Sequence, residues 1–88
     1  MEIDFDPAKR EETLRKRGLD LAHAGAVFDG RVKTAVDDRF AYDEVRYVTY
    51  GWMKQTAVAV VRAEREGRRR VISMRRMHQW EIEHVGLD

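Results

Sequence analysis

The sequence predicts an α+β fold in which helices pack on one face of a small, twisted antiparallel β-sheet. Apolar residues recur with a helical period between residues 7 and 30, and they alternate with polar residues between 31 and 74. A helical pattern returns near residue 78. Strands that follow one another directly, with helices before and after them, favour helices segregated from the sheet. We expect the 88 residues to form a single domain, 1–88.

The first two elements are predicted from the segment IDFDP, residues 3–7. Its alternation of apolar and acidic residues predicts a short strand, which the proline ends because proline lacks a backbone donor. Asp6 is suited to cap a helix that has Pro7 in its first position. This helix is predicted to run to about Arg17, and Gly18 can end it.

A second helix is predicted where Asp20 can serve as the N-cap. Leu21, Ala24 and Phe28 then form a narrow apolar stripe that can pack on a sheet. Gly30 ends this helix.

From residue 31 onward the period of two, with many Val, Ile, Thr and Tyr residues, predicts strands. The four predicted strands are RVKTAV at 31–36, VRYVTYG at 45–51, TAVAVVRAE at 56–64 and RRRVISM at 68–74. GWMKQ and EREG are the predicted hairpin turns, and DDRFAYDE at 37–44 is a predicted polar loop. A short C-terminal helix is predicted from about His78 to Val85, ended by Gly86.

Regular alternation assigns side chains to the two faces of the sheet. In the last strand, Arg69, Val71 and Ser73 would share one face, and Arg70, Ile72 and Met74 the other. Tyr47 and Tyr50 would point to opposite faces. Arg75 and Arg76 would emerge where the last strand leaves the sheet, a position from which a guanidinium can reach a phosphate.

The chain is nearly neutral, but its charges are unevenly distributed. Seventeen basic and sixteen acidic residues give a net charge of +1. Residues 45–88 contain nine basic and five acidic residues, a balance that suits a polyanionic partner. The absence of cysteine, of an apolar run of about 20 residues and of a basic N-terminal segment predicts a cytoplasmic protein that does not enter a membrane.

Several classes of chemistry lack their sequence signals. GxGxxG, GxxxxGK[ST] and GxSxG motifs are absent, which argues against dinucleotide, P-loop and nucleophile-elbow sites. His23, His78 and His84 lack the spacing of zinc ligands, so no metal site is expected. The adjacent carboxylates Asp37 and Asp38 are expected to be solvated.

The residue types that remain are those of RNA cleavage without a metal ion. In that reaction the RNA's own 2′-hydroxyl attacks the phosphorus, so the protein supplies a base, an acid and cations. Tyrosine and arginine can also stack on bases. Simpler interpretations remain open: Arg68–Arg70 can be a solvated strand edge, Trp80 can cover the sheet, and His23 can be an ordinary surface residue.

The order of these segments resembles the BrnT family of type II toxins, which are ribonucleases paired with BrnA antitoxins. The matching segments are FDPAK at 5–9, LRKRG at 14–18, AVFD at 26–29, EVRYVTYG at 44–51, and RRVISMRRM at 69–77 followed by Glu81. The resemblance implies a RelE-like or microbial-ribonuclease-like fold and cleavage of RNA that arrests growth until the antitoxin binds. It also implies assembly with a ribbon-helix-helix antitoxin dimer that contacts operator DNA.

The resemblance also implies site residues. The basic positions of the family pattern fall on Lys9, Lys16, Arg46, Arg75 and Arg76. His78, which stands where the family tends to have threonine, is a further candidate for proton transfer. Candidates for RNA binding are Arg17, which replaces a common family histidine, Arg70 and Tyr50.

Two alternatives to an enzyme follow from the same residues. The basic half of the chain could bind RNA or an acidic protein without cleaving anything. It could also serve mainly to bind the antitoxin.

Overall fold

The computed structural model describes residues 2–39 and 41–88 and has an α+β fold, which confirms the predicted class. The five strands are β1 Ile3–Phe5, β2 Lys33–Val36, β3 Tyr47–Met53, β4 Thr56–Arg65 and β5 Arg68–Arg76. The helices are α1 Pro7–Arg17, α2 Ala24–Phe28 and α3 Gln79–Val85. Phe40, which belongs to the predicted polar loop, lies outside the described residues.

The strands form one mixed sheet in the order β1-β5-β4-β3-β2. β2, β3, β4 and β5 pair antiparallel, as predicted. β1 instead pairs parallel with the first half of β5, with Ile3 opposite Arg69 and Phe5 opposite Val71. The prediction of a wholly antiparallel sheet is therefore corrected: the sheet is mixed. A parallel pair needs a long crossover connection, and α1 with the segments after it provides one between β1 and β5.

The ends of α1 follow the predicted signals. The Asp6 side chain accepts a hydrogen bond from the Ala8 amide at 2.9 Å, and Pro7 occupies the first turn. Gly18 ends the helix with φ of 68°, a left-handed conformation that glycine adopts without steric cost. α1 therefore runs over the predicted residues.

The predicted second helix is divided in two. Leu21–His23 form one turn of 3₁₀ helix, capped by the Asp20 side chain through a 3.0 Å hydrogen bond from the Ala22 amide. The α-helical part, α2, begins only at Ala24. The short segment has room for few α-helical turns, and its first turn takes the tighter geometry that is frequent at helix ends.

The strands of the meander differ from the predicted bounds: β2 begins at Lys33 and β3 at Tyr47, each two residues later than predicted. β3 continues to Met53, and β5 continues to Arg76. The β4–β5 hairpin turns at Glu66 and Gly67, whose φ angles are 51° and 74°. Two consecutive residues with positive φ are typical of the type I′ turn, whose twist matches that of the strands it joins.

A β-bulge in β5 overturns part of the predicted face assignment. The register shifts near Val61 and Arg62 of β4, so that Val61 pairs with Ser73 whereas Arg62 pairs with Val71. One extra residue in β5 reverses the alternation beyond it. Val71 and Met74 consequently face the same core, instead of opposite faces as predicted.

Two apolar clusters hold the sheet between its helices. The larger lies on the side of α1 and α2 and contains eight buried residues: Leu19, Leu21, Ala24, Val27, Val58, Val60, Val71 and Met74. The smaller lies on the opposite face under α3 and contains Ala57, Ala59, Met77, Ile82 and Leu87. Since α3 has only seven residues, it leaves part of its sheet face uncovered.

Candidate nucleic-acid interface

The sheet face on the α3 side carries several arginines, and we call the surface formed by Arg46, Arg70, Arg75 and Tyr50 the arginine face. Tyr50, Ala59 and Arg75 form one cross-strand row, because Tyr50 pairs with Ala59 and Ala59 with Arg75. Arg70 pairs with Ala63 at the other end of the same face. Arg46 directly precedes β3, and it lies close enough to the Glu44 carboxyl, as Arg70 does, to lower the pKa of that group.

The charged groups of this face form two neighbourhoods, one around Glu44 and one around Arg75. The Arg65 guanidinium, which donates to Glu44, lowers the pKa of that carboxyl, and Arg46 and Arg70 lower it further. Ion pairing with Glu81 raises the pKa of Arg75, and Tyr50 adds to this, whereas the neighbouring Arg39 opposes it. The arginine face is thus a concentration of positive charge with a few embedded carboxylates.

Arg75 is held by Glu81 of α3. The two guanidinium nitrogens Nη1 and Nη2 donate to the two carboxylate oxygens at 2.8 Å each. Glu81 is 7% exposed and also accepts the backbone amide of His78 at 2.9 Å. These contacts, led by the Arg75 hydrogen bonds, lower the pKa of Glu81 to about 2. A bidentate pair fixes the plane of the guanidinium and orients its remaining N–H groups.

Arg46 and Arg70 are held differently. The Arg46 guanidinium carbon lies 4.1 Å from the centre of the Tyr42 ring, and its buried Nε has no hydrogen-bond partner. Arg70 pairs with Asp4 of β1 at 2.9 Å. The Nε of Arg46 is therefore an unsatisfied donor, whereas most buried polar atoms of proteins have a hydrogen-bond partner.

The loop between β2 and β3 adds a rim that the sequence did not reveal. Asp37, predicted to be solvated, is 4% exposed, while its neighbour Asp38 is exposed as predicted. It accepts hydrogen bonds from Arg39 Nε at 2.8 Å, Arg39 Nη2 at 2.9 Å and the Tyr42 hydroxyl at 3.0 Å. The Arg39 hydrogen bonds are the main cause that lowers the pKa of Asp37 to about 2.

A depression of about 200 Å³ lies between this loop and the sheet. Its lining combines apolar, aromatic and charged groups: Ala35, Val36, Asp37, Asp38, Arg39, Val48, Tyr50, Ala59, Val61 and Arg75. Tyr50 and Arg75 are thereby placed at the edge of a concave surface, where a flat base and a phosphate can be contacted together.

The predicted residues of α1 lie beside the outer edge of β5. Lys9, Lys16 and Arg17 line a small cavity of about 130 Å³ together with Ser73, which is two residues from Arg75. Lys16 lies 3.5 Å from Glu12. Arg17 Nη1 donates to the Met74 carbonyl at 2.8 Å, so this arginine ties α1 to the part of β5 that β1 does not cover.

Arg76 lies on the opposite side of the sheet from the arginine face, whereas His78 lies beside that face, because its backbone amide and Arg75 both donate to Glu81. Arg76 projects to the α1 side, where its guanidinium donates to the Arg17 carbonyl. His78 is exposed at the start of α3, and its ring stacks on Trp80 with 6.4 Å between centres and 8° between planes. Trp80 itself is 65% exposed and does not cover the sheet.

Of the predicted site residues, the fold brings Arg46, Arg70, Arg75 and Tyr50 onto one surface. Sequence reasoning missed Asp37, Arg39, Tyr42 and the role of Glu81. The available signals were the Glu81 position in the matching segments and the charge density of the loop. Neither signal reveals which arginine each carboxylate meets.

Among residues 2–39 and 41–88, no three histidine or carboxylate side chains converge into a metal-binding group. Within the same residues, no helix is long and apolar enough to cross a membrane. Chemically, the site offers guanidinium groups, a tyrosine and a concave surface, groups that are suited to contact with a polyanion.

A comparison with models of protein families identifies a family to which most of the chain matches. A sequence model described as the ribonuclease toxin BrnT of type II toxin–antitoxin systems matches residues 5–81 of the 88-residue chain. The chain therefore belongs to the BrnT family of ribonuclease toxins. Membership of this family implies an RNA substrate and an antitoxin partner. A search of curated proteins finds no match to this chain.

Proposed function

We propose that this protein is a metal-independent endoribonuclease that binds and cleaves RNA on the arginine face. The observation that carries the proposal is the presence of Arg46, Arg70, Arg75 and Tyr50 on a sheet face that α3 covers only in part, in a chain of the BrnT family. Guanidinium groups suit phosphate because they form two parallel hydrogen bonds with it.

Cleavage without a metal ion needs no nucleophile from the protein. The 2′-oxygen of the RNA loses its proton to a base and forms a bond to the adjacent phosphorus. The bond from phosphorus to the 5′-oxygen breaks, and an acid protonates that oxygen, which leaves a 2′,3′-cyclic phosphate and a 5′-hydroxyl. Arg46 and Arg75 stabilise the negative charge that develops on the phosphoryl oxygens, and one such donor contributes about 3 kcal/mol.

The carboxylates of the face orient the arginines. Glu81 occupies two nitrogens of Arg75 and Asp4 pairs with Arg70, so both cations are fixed before RNA arrives. Fixed donors stabilise a transition state better than mobile ones because they need no reorganisation during the reaction. The Nε of Arg46 is buried, so the terminal nitrogens of this guanidinium, which lies over the Tyr42 ring, are the donors proposed for phosphate.

Tyr50 and Arg17 assist RNA binding in this proposal, and the proton-transfer groups come from His78, Lys9 and Lys16. His78 is exposed and follows β5 closely along the chain. The two lysines lie beside Ser73 at the edge of the same strand. Arg76 serves as an additional cation on the α1 side, where a longer RNA strand passes the edge of the sheet.

Membership of the family supports a biological setting for this activity. RNA cleavage in the cytoplasm arrests growth until a BrnA-like antitoxin binds. This antitoxin is a ribbon-helix-helix dimer, which also contacts operator DNA. The protein requires no cofactor for this role.

The proposal is tested with arginine variants of the antitoxin-free protein in excess EDTA. We expect Arg46→Ala to lower the cleavage rate of a labelled single-stranded RNA by at least tenfold, because it removes a cation without leaving a buried carboxylate unpaired. Arg15→Ala, an exposed residue of α1, is the matched control and should retain activity within twofold. Equal activity of the Arg46→Ala and Arg15→Ala proteins would remove the arginine face from the reaction.

A further inference from the structure

A second concave surface lies on the other side of the sheet, and we call it the α2 cleft. It has a volume of about 520 Å³, within the range of ligand-binding pockets. Its lining is Gly18, Leu19, Ala22, His23, Gly25, Ala26, Met53, Lys54, Thr56 and Arg76. Of the predicted site residues, Arg76 alone is in this lining, and none of the four residues of the arginine face contributes to it.

The floor of the cleft is apolar and accessible. The 3₁₀ turn and α2 contribute three small residues to this floor: Ala22, Gly25 and Ala26. A Cβ atom built on Gly25 would meet nothing within 4 Å. Met53 adds a flexible apolar side chain that adapts to what it contacts. An incoming segment can therefore approach the backbone of α2 closely and bury an aliphatic side chain.

The rim of the cleft is cationic. Of the described residues that line it, His23, Lys54 and Arg76 are basic, and none is acidic. His23 Nε2 lies 3.8 Å from the Asp20 carboxylate, but that carboxylate is engaged by Arg10 at 2.7 Å. Positive charge around an apolar floor is complementary to an aliphatic side chain flanked by carboxylates.

The lining favours a peptide over RNA. Single-stranded RNA is held by stacking its bases on aromatic rings or on guanidinium planes. The described residues of the cleft include no aromatic ring apart from the small imidazole of His23. The one guanidinium, that of Arg76, is anchored to the Arg17 carbonyl.

We propose that the α2 cleft is a docking site for the antitoxin, through a segment in which carboxylates flank an aliphatic side chain. The inference rests on the partner that the BrnT family implies, and of the residues proposed to act on RNA it involves Arg76 alone. Docking at the α2 cleft anchors the antitoxin on the helix side of the sheet, whereas RNA is bound on the opposite face.

The test is calorimetric titration of the purified toxin with a purified BrnA-type antitoxin. Gly25→Glu places bulk and negative charge in the cleft, and a carboxylate in the first turn of α2 is compatible with the helix. We expect this variant to bind the antitoxin at least tenfold more weakly, and Lys54→Asp to lose affinity in the same direction. Gly25→Ala, which adds a methyl group in open space, and Gln79→Glu, an equal charge change on α3, should bind within twofold of the native protein.

Two outcomes would overturn the docking site. One is native affinity for the antitoxin in folded Gly25→Glu and Lys54→Asp proteins. The other is loss of RNA binding in these variants with antitoxin affinity unchanged, which would assign the cleft to nucleic acid. Antitoxin binding is measured without RNA. Failure of the native protein to cleave RNA would therefore contradict the proposed function, but it would not affect the test of the docking site.

Discussion

Replacement of Glu81 by glutamine should destabilise the protein at neutral pH and not at acidic pH. Glu81 receives two hydrogen bonds from Arg75, and a glutamine can accept only one of them because its NH₂ group faces a second donor. Lowering the pKa of Glu81 from 4.5 to about 2 corresponds to at most about 3 kcal/mol of folding free energy. Arg75 is 42% exposed, and solvent screening reduces this to about 1–2 kcal/mol.

The pH dependence follows from the direction of the pKa shift. Because the pKa is lower in the folded state, the stabilisation by Glu81 is fully present above pH 4.5 and is lost as the pH falls toward 2. Urea unfolding of native and Glu81→Gln proteins should therefore give a gap of about 1–2 kcal/mol at pH 7 that closes toward pH 2. Asp20 and Asp37 also titrate at low pH, but they do so in both proteins and cancel in the difference.

The control for this experiment is Glu83→Gln, two residues further along α3. Glu83 is exposed, and its carboxylate accepts from Gln79 at 3.3 Å. This change should alter the unfolding free energy by less than about 0.5 kcal/mol. A gap between native and Glu81→Gln proteins that stays constant from pH 7 to pH 2 would refute the assignment of the stabilisation to the charged pair.

Two further substitutions test the packing and the loop. Gly51→Ala would place a Cβ 2.8 Å from a methyl group of Val27, so we expect urea unfolding to show a loss of about 1–3 kcal/mol, whereas Gly25→Ala should cause none. Asp37→Asn removes the charged acceptor of Arg39, so thermal unfolding should occur at a lower temperature, with a loss of about 1–3 kcal/mol. An unchanged unfolding midpoint in either variant would show that the corresponding contact contributes little.

The order of helices and strands could be predicted because each element carries a local signal. Asp6 and Pro7 start α1, Gly18 ends it, and the period of two appears wherever a strand forms. The parallel pairing of β1 with β5 has no such signal. It depends on how the chain packs after α1, not on the three residues of β1 themselves.

The bulge in β5 explains why the site was predicted only in part. Alternation of side chains can be read along a single strand. The shift at Val61 and Arg62 arises instead from the pairing of β4 with β5, which the sequence of either strand does not reveal. Arg70 and Arg75 lie on opposite sides of that shift, so strict alternation would separate them. The partners of Arg75 and Arg39 likewise depend on how α3 and the loop fold back on the sheet.

The most direct measurement is incubation of antitoxin-free protein with a labelled single-stranded RNA in excess EDTA, followed by analysis of the product ends. A matched substrate with 2′-deoxy sugars serves as the control because it lacks the attacking hydroxyl. We expect cleavage of the RNA to products with 2′,3′-cyclic phosphate or 3′-phosphate ends, and no cleavage of the deoxy substrate. Intact RNA, or equal cleavage of both substrates, would contradict metal-independent cleavage by the RNA's own 2′-hydroxyl.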